Sequence, residues 1–306
     1  MSRKVHSTPI YPKRLIKGDT IGVVAPASPF DENRFYTGIE VLKAMGFKVV
    51  YAQGLFHKDG YLAGSDYHRS VQLQRFFEDD SIKGIICARG GFGSIRVLPY
   101  LNFKSIENNP KCFIGFSDIT ALLSTFFKES ALVTFHGPTI MTLATASKKS
   151  RDAFLAAVSF AAPIRITTST GITLQAGVAC GRVVGGNLTT LCHLLGTPFQ
   201  PELDGRILII EDTGETGYRI DRMLTQMKLS GCLNGIVGLG LGSFRGCGKI
   251  EEIYRIVQNI FFDMNIPVLG GLPIGHGRTN LTIPLGAVAT LDSVKKELIF
   301  HEPATT

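Results

Sequence analysis

The stretch Cys112-Phe113-Ile114-Gly115-Phe116-Ser117-Asp118-Ile119-Thr120 says more about the fold than any other part of the sequence. The residues from Lys111 to Phe116 are mostly apolar and predict a short buried strand. Ser117 follows that strand and precedes an amphipathic helix. The helix is predicted by apolar residues at the i, i+3, i+4, i+7 and i+8 spacing, which are Ile119, Leu122, Leu123, Phe126 and Phe127. Ser117 is therefore expected on a tight turn between the carboxyl end of a strand and the amino end of a helix.

Two interpretations of Ser117 follow from this position. Free backbone N–H groups at a helix start can bind an oxyanion, so the turn suits a nucleophilic serine. Serine is also a favoured N-cap and aspartate, here Asp118, a favoured first-turn residue, and on this stretch alone capping is the better interpretation. The second glycine of the usual nucleophile elbow is missing, because Ile119 occupies its place. Catalysis therefore requires partners elsewhere in the chain.

The composition is that of an ordinary globular protein long enough for two domains. The chain has 306 residues, of which 44% are hydrophobic and 19% charged. No apolar run is long enough to span a bilayer, and the basic start lacks the apolar core of a signal peptide, so we expect a cytoplasmic protein that does not bind membranes. The net charge of +7 is dispersed and no nucleic-acid motif is present. Six scattered cysteines without a C-x-x-C pair predict free thiols rather than disulfides or a metal site.

Strands and helices alternate ahead of Ser117, joined by short loops that contain glycine. Strands are predicted at 20–25, 48–51 and 84–88. This order predicts an α/β fold with a doubly wound parallel sheet of the Rossmann or flavodoxin type. Because ligands bind at the carboxyl edge of such a sheet, the loops 25–29 and 89–93 should lie beside Ser117. The glycine-rich loop 89–93 lacks the spacing of a dinucleotide fingerprint, so close backbone approach to a reacting carbonyl suits it better than nucleotide binding.

We divide the chain into an N-terminal α/β domain over 1–145, a linker over 146–170 and a C-terminal domain over 171–306. The region between 144 and 170 is polar, rich in small residues and predicted to hold one short helix at 150–160. The C-terminal domain is predicted to mix helices with both parallel and short antiparallel strands.

Two residues beyond the linker could complete a catalytic site with Ser117. Glu211 follows a predicted strand at 206–210, and His276 lies between two glycines after an apolar strand. Taken singly, such a glutamate more often caps a turn and such a histidine is more often structural. His136 is the rival base. A hydroxyl, a base and an orienting acid that each end a separate buried strand together fit the needs of covalent acyl transfer.

Motifs along the chain resemble the LD-carboxypeptidase family, serine peptidases that include muramoyl-tetrapeptide carboxypeptidase and the microcin-immunity peptidase. The resemblance covers 18–291 in the family's order. The matching segments are Gly22–Ala27 (GVVAPA), Arg89–Gly93 (RGGFG), Gly115–Asp118 (GFSD), Gly185–Asn187 (GGN), Leu195–Pro198 (LGTP), Ile210–Asp212 (IED), Asp221–Leu224 (DRML) and Gly275-His276.

This resemblance implies a triad in which Ser117 is the nucleophile, His276 the general base and Glu211 the orienting acid. Glu215 lies close enough in sequence to compete, but the family pattern places the acid directly at the strand end.

The resemblance further implies an oxyanion hole formed by the backbone N–H groups of Asp118 and, in the glycine loop, Gly91. The candidate substrate-binding residues, which lie in matching segments, are Arg89, Gly90 and Asn187.

The activity that the resemblance implies is hydrolysis of the L,D-amide bond before the terminal D-alanine of murein tetrapeptides, a step in cell-wall recycling. No metal or organic cofactor is implied, and family members are similar in forming homodimers, to which the predicted helix 218–229 could contribute. Two alternatives stay open. The chain could cleave a toxic peptide–nucleotide amide, as the immunity branch does, or it could be a non-catalytic protein that grips an anion with the loop 89–93.

Overall fold

Two β-sheets with helices packed on them make up the fold. The computed structural model describes residues 8–306, and the start of the chain, 1–7, lies outside the described residues. The strands are β1 (Thr20–Val24), β2 (Lys48–Tyr51), β3 (Ile82–Cys87), β4 (Cys112–Gly115), β5 (Thr134–His136), β6 (Ile164–Thr167), β7 (Ile172–Gln175), β8 (Val178–Asn187), β9 (Arg206–Thr213), β10 (Gly238–Arg245), β11 (Val268–Gly270), β12 (Ile283–Leu285), β13 (Val288–Asp292) and β14 (Glu297–Phe300). The helices are α1 (Glu32–Ala44), α2 (Asp66–Glu78), α3 (Ser94–Val97), α4 (Phe103–Asn108), α5 (Thr120–Ser130), α6 (Ile140–Leu143), α7 (Lys148–Ser159), α8 (Leu188–Leu194), α9 (Gly217–Leu229) and α10 (Ile250–Phe261).

The first sheet carries the predicted parallel, doubly wound arrangement. Its strand order is β12-β5-β4-β3-β1-β2, and the five strands from β1 to β5 run parallel. Read from the far edge this is the order 2-1-3-4-5 of flavodoxin-like sheets, whose ligands bind beyond the carboxyl ends of the strands. Ser117 follows β4, at the centre of that edge.

The second sheet mixes strand directions, as predicted for the C-terminal part of the chain. Its order is β6-β14-β13-β8-β9-β10-β11-β7. The central strands β8, β9, β10 and β11 run parallel, and all other pairings are antiparallel. The α/β fold class with two unlike sheets is thus confirmed.

The two halves of the chain are interlocked. β12 belongs to the C-terminal half, yet it pairs antiparallel with β5 at the edge of the first sheet. The connection 271–282, which links β11 to β12, therefore runs from the second sheet to the first and carries His276. Within 146–170, α7 buries Phe154 and Ala157 in the apolar core beside β1, whereas β6 is an edge strand of the second sheet. The domain boundaries stay a prediction.

One apolar cluster joins the sheets. It contains Phe113 and Leu122 from the first half of the chain together with Ile209 and Leu291 from the second, all of them fully buried or nearly so. Burying each such side chain contributes roughly 1.5–3 kcal/mol, so the relative position of the sheets is fixed by the same contacts that stabilise them. Among residues 8–306, no helix combines the length and apolar character required to cross a membrane.

Candidate active site

The turn at Ser117 holds a strained backbone. Ser117 has a φ of 65°, in the left-handed region that residues with a Cβ adopt at a cost of about 1–2 kcal/mol. A 3-10 turn over Ser117–Ile119 then leads into α5. Ile119 can replace the second glycine of the elbow because residue 115 has no side chain. A Cβ on Gly115 would lie 2.7 Å from Cγ2 of Ile119. The strand-to-helix turn thus has the strained geometry of a nucleophile elbow although Ile119 replaces its last glycine.

His276 lies between Ser117 and Glu211. Its Nε2 is 3.2 Å from Ser117 Oγ, and its Nδ1 is 2.6 Å from Glu211 Oε2. The backbone N–H of His276 donates to the same carboxylate oxygen at 3.0 Å. Because Glu211 Oε2 can only accept when ionised, Nδ1 carries the proton and the lone pair of Nε2 is directed at the serine hydroxyl.

Glu211 is fully buried and approached closely by backbone. A Cβ on residue 275 would lie 2.3 Å from Glu211 Oε2, so Gly275, at a φ of 94°, is required for the contact with His276. Glu211 lies inside β9 rather than after its last residue, because β9 continues to Thr213 by pairing with the end of β10. The strand predicted at 206–210 is therefore longer than expected. The apolar strand before His276 is β11, which ends at Gly270 because Gly271 turns the chain at a φ of 80°.

Glu215 and His136, the alternative acid and the alternative base, lie in surroundings unlike those of Glu211 and His276. Glu215 is half-buried and forms an ion pair with Arg219 at 3.3 Å. His136 is completely buried, and neither ring nitrogen has a hydrogen-bond partner within the described part of the chain. Burial lowers the pKa of His136 to about 4, although the charge of Glu211 opposes that change. His136 is thus a neutral side chain behind the site, without a hydrogen bond to Ser117.

The glycine loop lies directly against the serine. A Cβ on Gly90 would lie 2.9 Å from Ser117 Cβ and 3.3 Å from the backbone nitrogen of Asp118. The Asp118 carboxylate accepts the backbone N–H of Ser94 at 2.8 Å, and burial raises the pKa of Asp118. Its side chain therefore ties the serine turn to the end of the glycine loop. Within residues 8–306 the backbone N–H of Asp118 has no protein acceptor.

Gly91 itself packs on Ser28, whose Oγ accepts the backbone N–H of Phe92 at 3.1 Å. Arg89 is exposed and donates from Nη1 to the carbonyl of Pro29 at 2.7 Å. Both contacts hold the loop 89–93 to the loop after β1, which the sequence predicted to be its neighbour.

Asn187 forms its hydrogen bonds with other residues of the protein. Its Nδ2 donates to Asp212 Oδ1 at 2.9 Å, its Oδ1 accepts the N–H of Thr190 at 3.0 Å, and its backbone N–H donates to Thr120 Oγ1 at 3.0 Å. Burial raises the pKa of Asp212, and four hydrogen bonds donated by neighbouring residues to its carboxylate oppose this rise. Asn187 thus caps α8 and links β8 to the helix that follows the serine.

Comparison with known proteins identifies the family. Residues 21–137 match the LD-carboxypeptidase N-terminal domain, and residues 180–291 match the LD-carboxypeptidase C-terminal domain. The chain belongs to the LD-carboxypeptidase family. The resemblance inferred from sequence motifs is thereby confirmed.

Relatives of this LD-carboxypeptidase cover almost its whole length. It is 36% identical to the probable murein peptide carboxypeptidase of Bacillus subtilis, over 97% of this chain and 96% of the relative. The solved structure of the microcin C7 self-immunity protein MccF with aspartyl sulfamoyl adenosine is 27% identical, with a TM-score of 0.90 over 97% of this chain and 100% of that one. The muramoyltetrapeptide carboxypeptidase from Oxalobacter formigenes is 28% identical, with a TM-score of 0.83 over 94% of this chain and 100% of that one. The predicted peptidase class and fold are both confirmed.

A pocket of about 180 Å³ opens beside His276 in this LD-carboxypeptidase. Three arginines that sequence reasoning missed line it, Arg34, Arg245 and Arg278. They lie after β1, at the end of β10 and after β11, so no local motif joins them, and only the shared carboxyl edge of the two sheets could have indicated their proximity. Within the described residues, no cluster of three or more His, Cys, Asp or Glu side chains is arranged to hold a metal ion.

Proposed function

We propose that this LD-carboxypeptidase hydrolyses the L,D-amide bond that precedes the terminal D-alanine of murein tetrapeptides, a reaction of cell-wall recycling. The observation that carries the proposal is the continuous chain of hydrogen bonds from Ser117 through His276 to buried Glu211, in a member of this family. The name of the Bacillus subtilis relative supports a murein peptide as the substrate.

In the acylation step, Ser117 Oγ attacks the carbonyl carbon of the scissile amide. His276 Nε2, 3.2 Å from that oxygen, takes the serine proton, and the resulting imidazolium is stabilised by Glu211 at 2.6 Å. The carbonyl oxygen becomes an oxyanion that the backbone N–H groups of Asp118 and Gly91 receive. These donors are fixed before the reaction, so they need no reorganisation as the charge develops.

The tetrahedral intermediate collapses when His276 gives the proton to the nitrogen of the leaving D-alanine. The peptide remains as an ester on Ser117. A water molecule then loses a proton to His276 and attacks the ester carbonyl. The second tetrahedral intermediate collapses as His276 returns that proton to Ser117 Oγ, which releases the shortened peptide with a new carboxyl group and restores the free serine.

Mass spectrometry of purified murein tetrapeptide tests this activity directly. After incubation with the protein we expect a product lighter by one alanine residue, accompanied by free D-alanine. Ser117→Ala should lower the rate by on the order of a thousandfold or more, because only the nucleophile is removed. Intact tetrapeptide after prolonged incubation with folded wild-type protein would refute the proposal.

The likeness to MccF makes an aminoacyl sulfamoyl nucleotide the second substrate to assay. A parallel incubation with aspartyl sulfamoyl adenosine separates the two functions. We expect a kcat/KM for the murein tetrapeptide at least tenfold above that for the nucleotide conjugate, and the opposite ratio would favour the immunity-type activity.

We further propose that the chain forms a homodimer through α9 and the end of α10. Leu229 of α9 is 83% exposed, and Phe262, directly after α10, is 75% exposed. Lys228 of α9 lies over the Phe262 ring at 5.8 Å, so the two apolar side chains flank one patch. Light scattering after size exclusion should give twice the chain mass, and Leu229→Glu should yield monomers.

A cytoplasmic location is the final part of the proposal. All six cysteines are free thiols, four of them buried, as expected for a reducing compartment. Fractionation of cells that produce a tagged chain should recover it with cytoplasmic markers, and recovery with periplasmic or secreted markers would contradict the proposal.

A further inference from the structure

The pocket beside His276 carries an unusual charge. Its lining residues include Arg34, Arg245 and Arg278, and no Asp or Glu among the described residues lines it. Neither Arg245 nor Arg278 has a hydrogen-bond or ion-pair partner for its side chain within residues 8–306, and both are exposed. Three unpaired positive charges around a concave surface repel one another, so the pocket favours an anion.

Arg34 is held in place for such a role. Its Nε donates to the carbonyl of Met141 at 2.8 Å, and its Nη2 donates to Thr145 Oγ1 at 3.3 Å. These bonds leave Nη1 free and fix the orientation of the guanidinium plane. A side chain that is already ordered loses less conformational entropy when it binds a ligand.

Asn280 adds a neutral donor to the same wall. Its Oδ1 accepts the backbone N–H of Gly275 at 2.8 Å, and its backbone N–H donates to Ser150 Oγ at 3.2 Å. The side-chain Nδ2 is buried and has no acceptor in the described structure, although Asn280 lines the pocket. A buried donor without a partner costs about 1–3 kcal/mol, which hydrogen bonding to a ligand oxygen would remove.

The position of the pocket identifies the part of the substrate that enters it. His276 must protonate the leaving nitrogen, so the nitrogen of the last residue has to come within roughly 3 Å of Nε2. The terminal carboxylate is separated from that nitrogen by a single carbon atom. A pocket that includes His276 in its lining is therefore within reach of this carboxylate.

We infer that Arg34, Arg245 and Arg278, with Asn280 Nδ2, bind the free terminal carboxylate of the substrate and so restrict cleavage to the last residue of a peptide. The inference rests on the proposed function and adds the residues that make the enzyme a carboxypeptidase. Guanidinium groups suit this ligand, because their planar donors match the two oxygens of a carboxylate.

The test compares two substrates that differ only at the terminus, the murein tetrapeptide and the same peptide ending in D-alaninamide. Arg34→Met, Arg245→Met and Arg278→Met each remove one charge and retain an unbranched apolar stem. Arg34→Met should lower kcat/KM for the carboxylate substrate by about tenfold to a hundredfold, mainly through KM, and the other two by less. The amide substrate, already poor for the wild type, should be affected less than threefold.

Arg255→Met is the matched control, since Arg255 is exposed on α10 and does not line the pocket. It should leave both substrates unaffected. Equal losses on the carboxylate and amide substrates in all three pocket variants, or no loss in any of them, would overturn the inference.

A binding measurement separates this inference from the proposed function. Calorimetry with the Ser117→Ala protein needs no turnover, and it should show the tetrapeptide binding at least tenfold more tightly than its amide. Adding Arg34→Met should remove most of that difference. If the wild type released no D-alanine, the proposed function would fail while this comparison still decided the role of the pocket. Equal affinities for the two peptides would overturn the role of the pocket alone.

Discussion

Ser117 combines the proposed nucleophile with a backbone conformation that glycine adopts more easily. At a φ of 65°, a Cβ costs about 1–2 kcal/mol, of which roughly 0.5–1 kcal/mol is offset by the greater freedom of glycine in the unfolded chain. The free energy of unfolding in urea should therefore be up to about 1.5 kcal/mol higher for Ser117→Gly than for Ser117→Ala, and both variants should be inactive. At Ser124, inside α5, the order should reverse, because glycine weakens a helix. The same order at both positions would mean that Ser117 is not strained.

Glu211 and Glu215 differ in what their carboxylates contact. Glu211 is buried and accepts two hydrogen bonds from His276, whereas Glu215 pairs only with Arg219. Glu211→Gln keeps the shape but removes the charge that stabilises the imidazolium, so kcat should fall by on the order of a hundredfold or more. Glu215→Gln should change kcat less than about threefold, as expected for a partly exposed pair. Steady-state assays on murein tetrapeptide make the comparison, and the reverse ranking would assign the acid to Glu215.

His136 should make stability depend on pH. Its pKa is about 4 in the folded protein and ~6.5 in an unfolded chain, so the unfolded chain binds more protons between those values. The contribution of neutral His136 to the free energy of unfolding is therefore fully present above pH ~6.5. It is lost as the pH falls to about 4, and the total loss is about 3 kcal/mol. Urea unfolding at several pH values should show that His136→Leu lacks this loss. His193→Leu, at an exposed position, should retain it, and equal pH profiles for wild type and His136→Leu would contradict the assignment.

Ser117, Glu211 and His276 became candidates because each follows a predicted apolar strand, and their roles in a triad were implied by the family motifs. The pocket arginines could not be found in that way. Arg34 lies on α1 and Arg245 ends β10, and they reach one pocket only because the two sheets meet at their carboxyl edges. The local sequence pattern shows which residues lie at the end of a strand. Whether the ends of two distant strands lie side by side depends on the packing of the whole chain.

Among the elements, the contact between β8 and α5 sets the distance across the site. Asn187 in β8 donates its N–H to Thr120 Oγ1, and a Cβ on Gly186 would lie 2.5 Å from that oxygen. Gly186→Ala should push the start of α5, and Ser117 with it, away from His276. Since displacements near 1 Å can cost on the order of a hundredfold in rate, we expect a loss of kcat of at least about tenfold.

Gly196→Ala is the control for that variant. Gly196 also has a positive φ, of 74°, but a Cβ there would meet nothing within 4 Å. It should lose stability through backbone strain while keeping kcat. Equal effects on kcat in the two variants would show that strain, and not the contact with Thr120, is responsible.

The starts of several helices can be recognised in the sequence, whereas the partners of several strands cannot. Asp31, Ser65 and Asn187 cap α1, α2 and α8 as favoured N-cap residues do, so the starts of these helices could be recognised locally. β6 and β7 are four-residue, half-exposed segments that are strands because they pair with β14 and β11. The pairing of β12 with β5 likewise joins residues far apart in the chain. Such short edge strands depend on partners that lie far away in the sequence, and a few alternating residues do not identify those partners.

For the whole molecule, the shared core and the exchanged strand predict cooperative unfolding. Residues of both halves form one apolar cluster, and β12 from the C-terminal half completes the first sheet. Loss of helix signal in circular dichroism and loss of peptidase activity should therefore coincide along a urea titration. Activity that disappeared at a clearly lower urea concentration would show that the edge strand and the His276 segment open separately.

The crossing of the connection 271–282 from one sheet to the other has a consequence for biosynthesis. A chain is made from its N-terminus, so the parallel sheet and its serine turn can form while the ribosome is still adding the second half. The proposed base is residue 276, and the strand that anchors its segment to the first sheet ends at residue 285. A nascent chain therefore carries a serine with no histidine beside it, and if the proposed triad is the catalytic one it cannot hydrolyse peptides until residues 276–285 have been made and have paired with the first sheet.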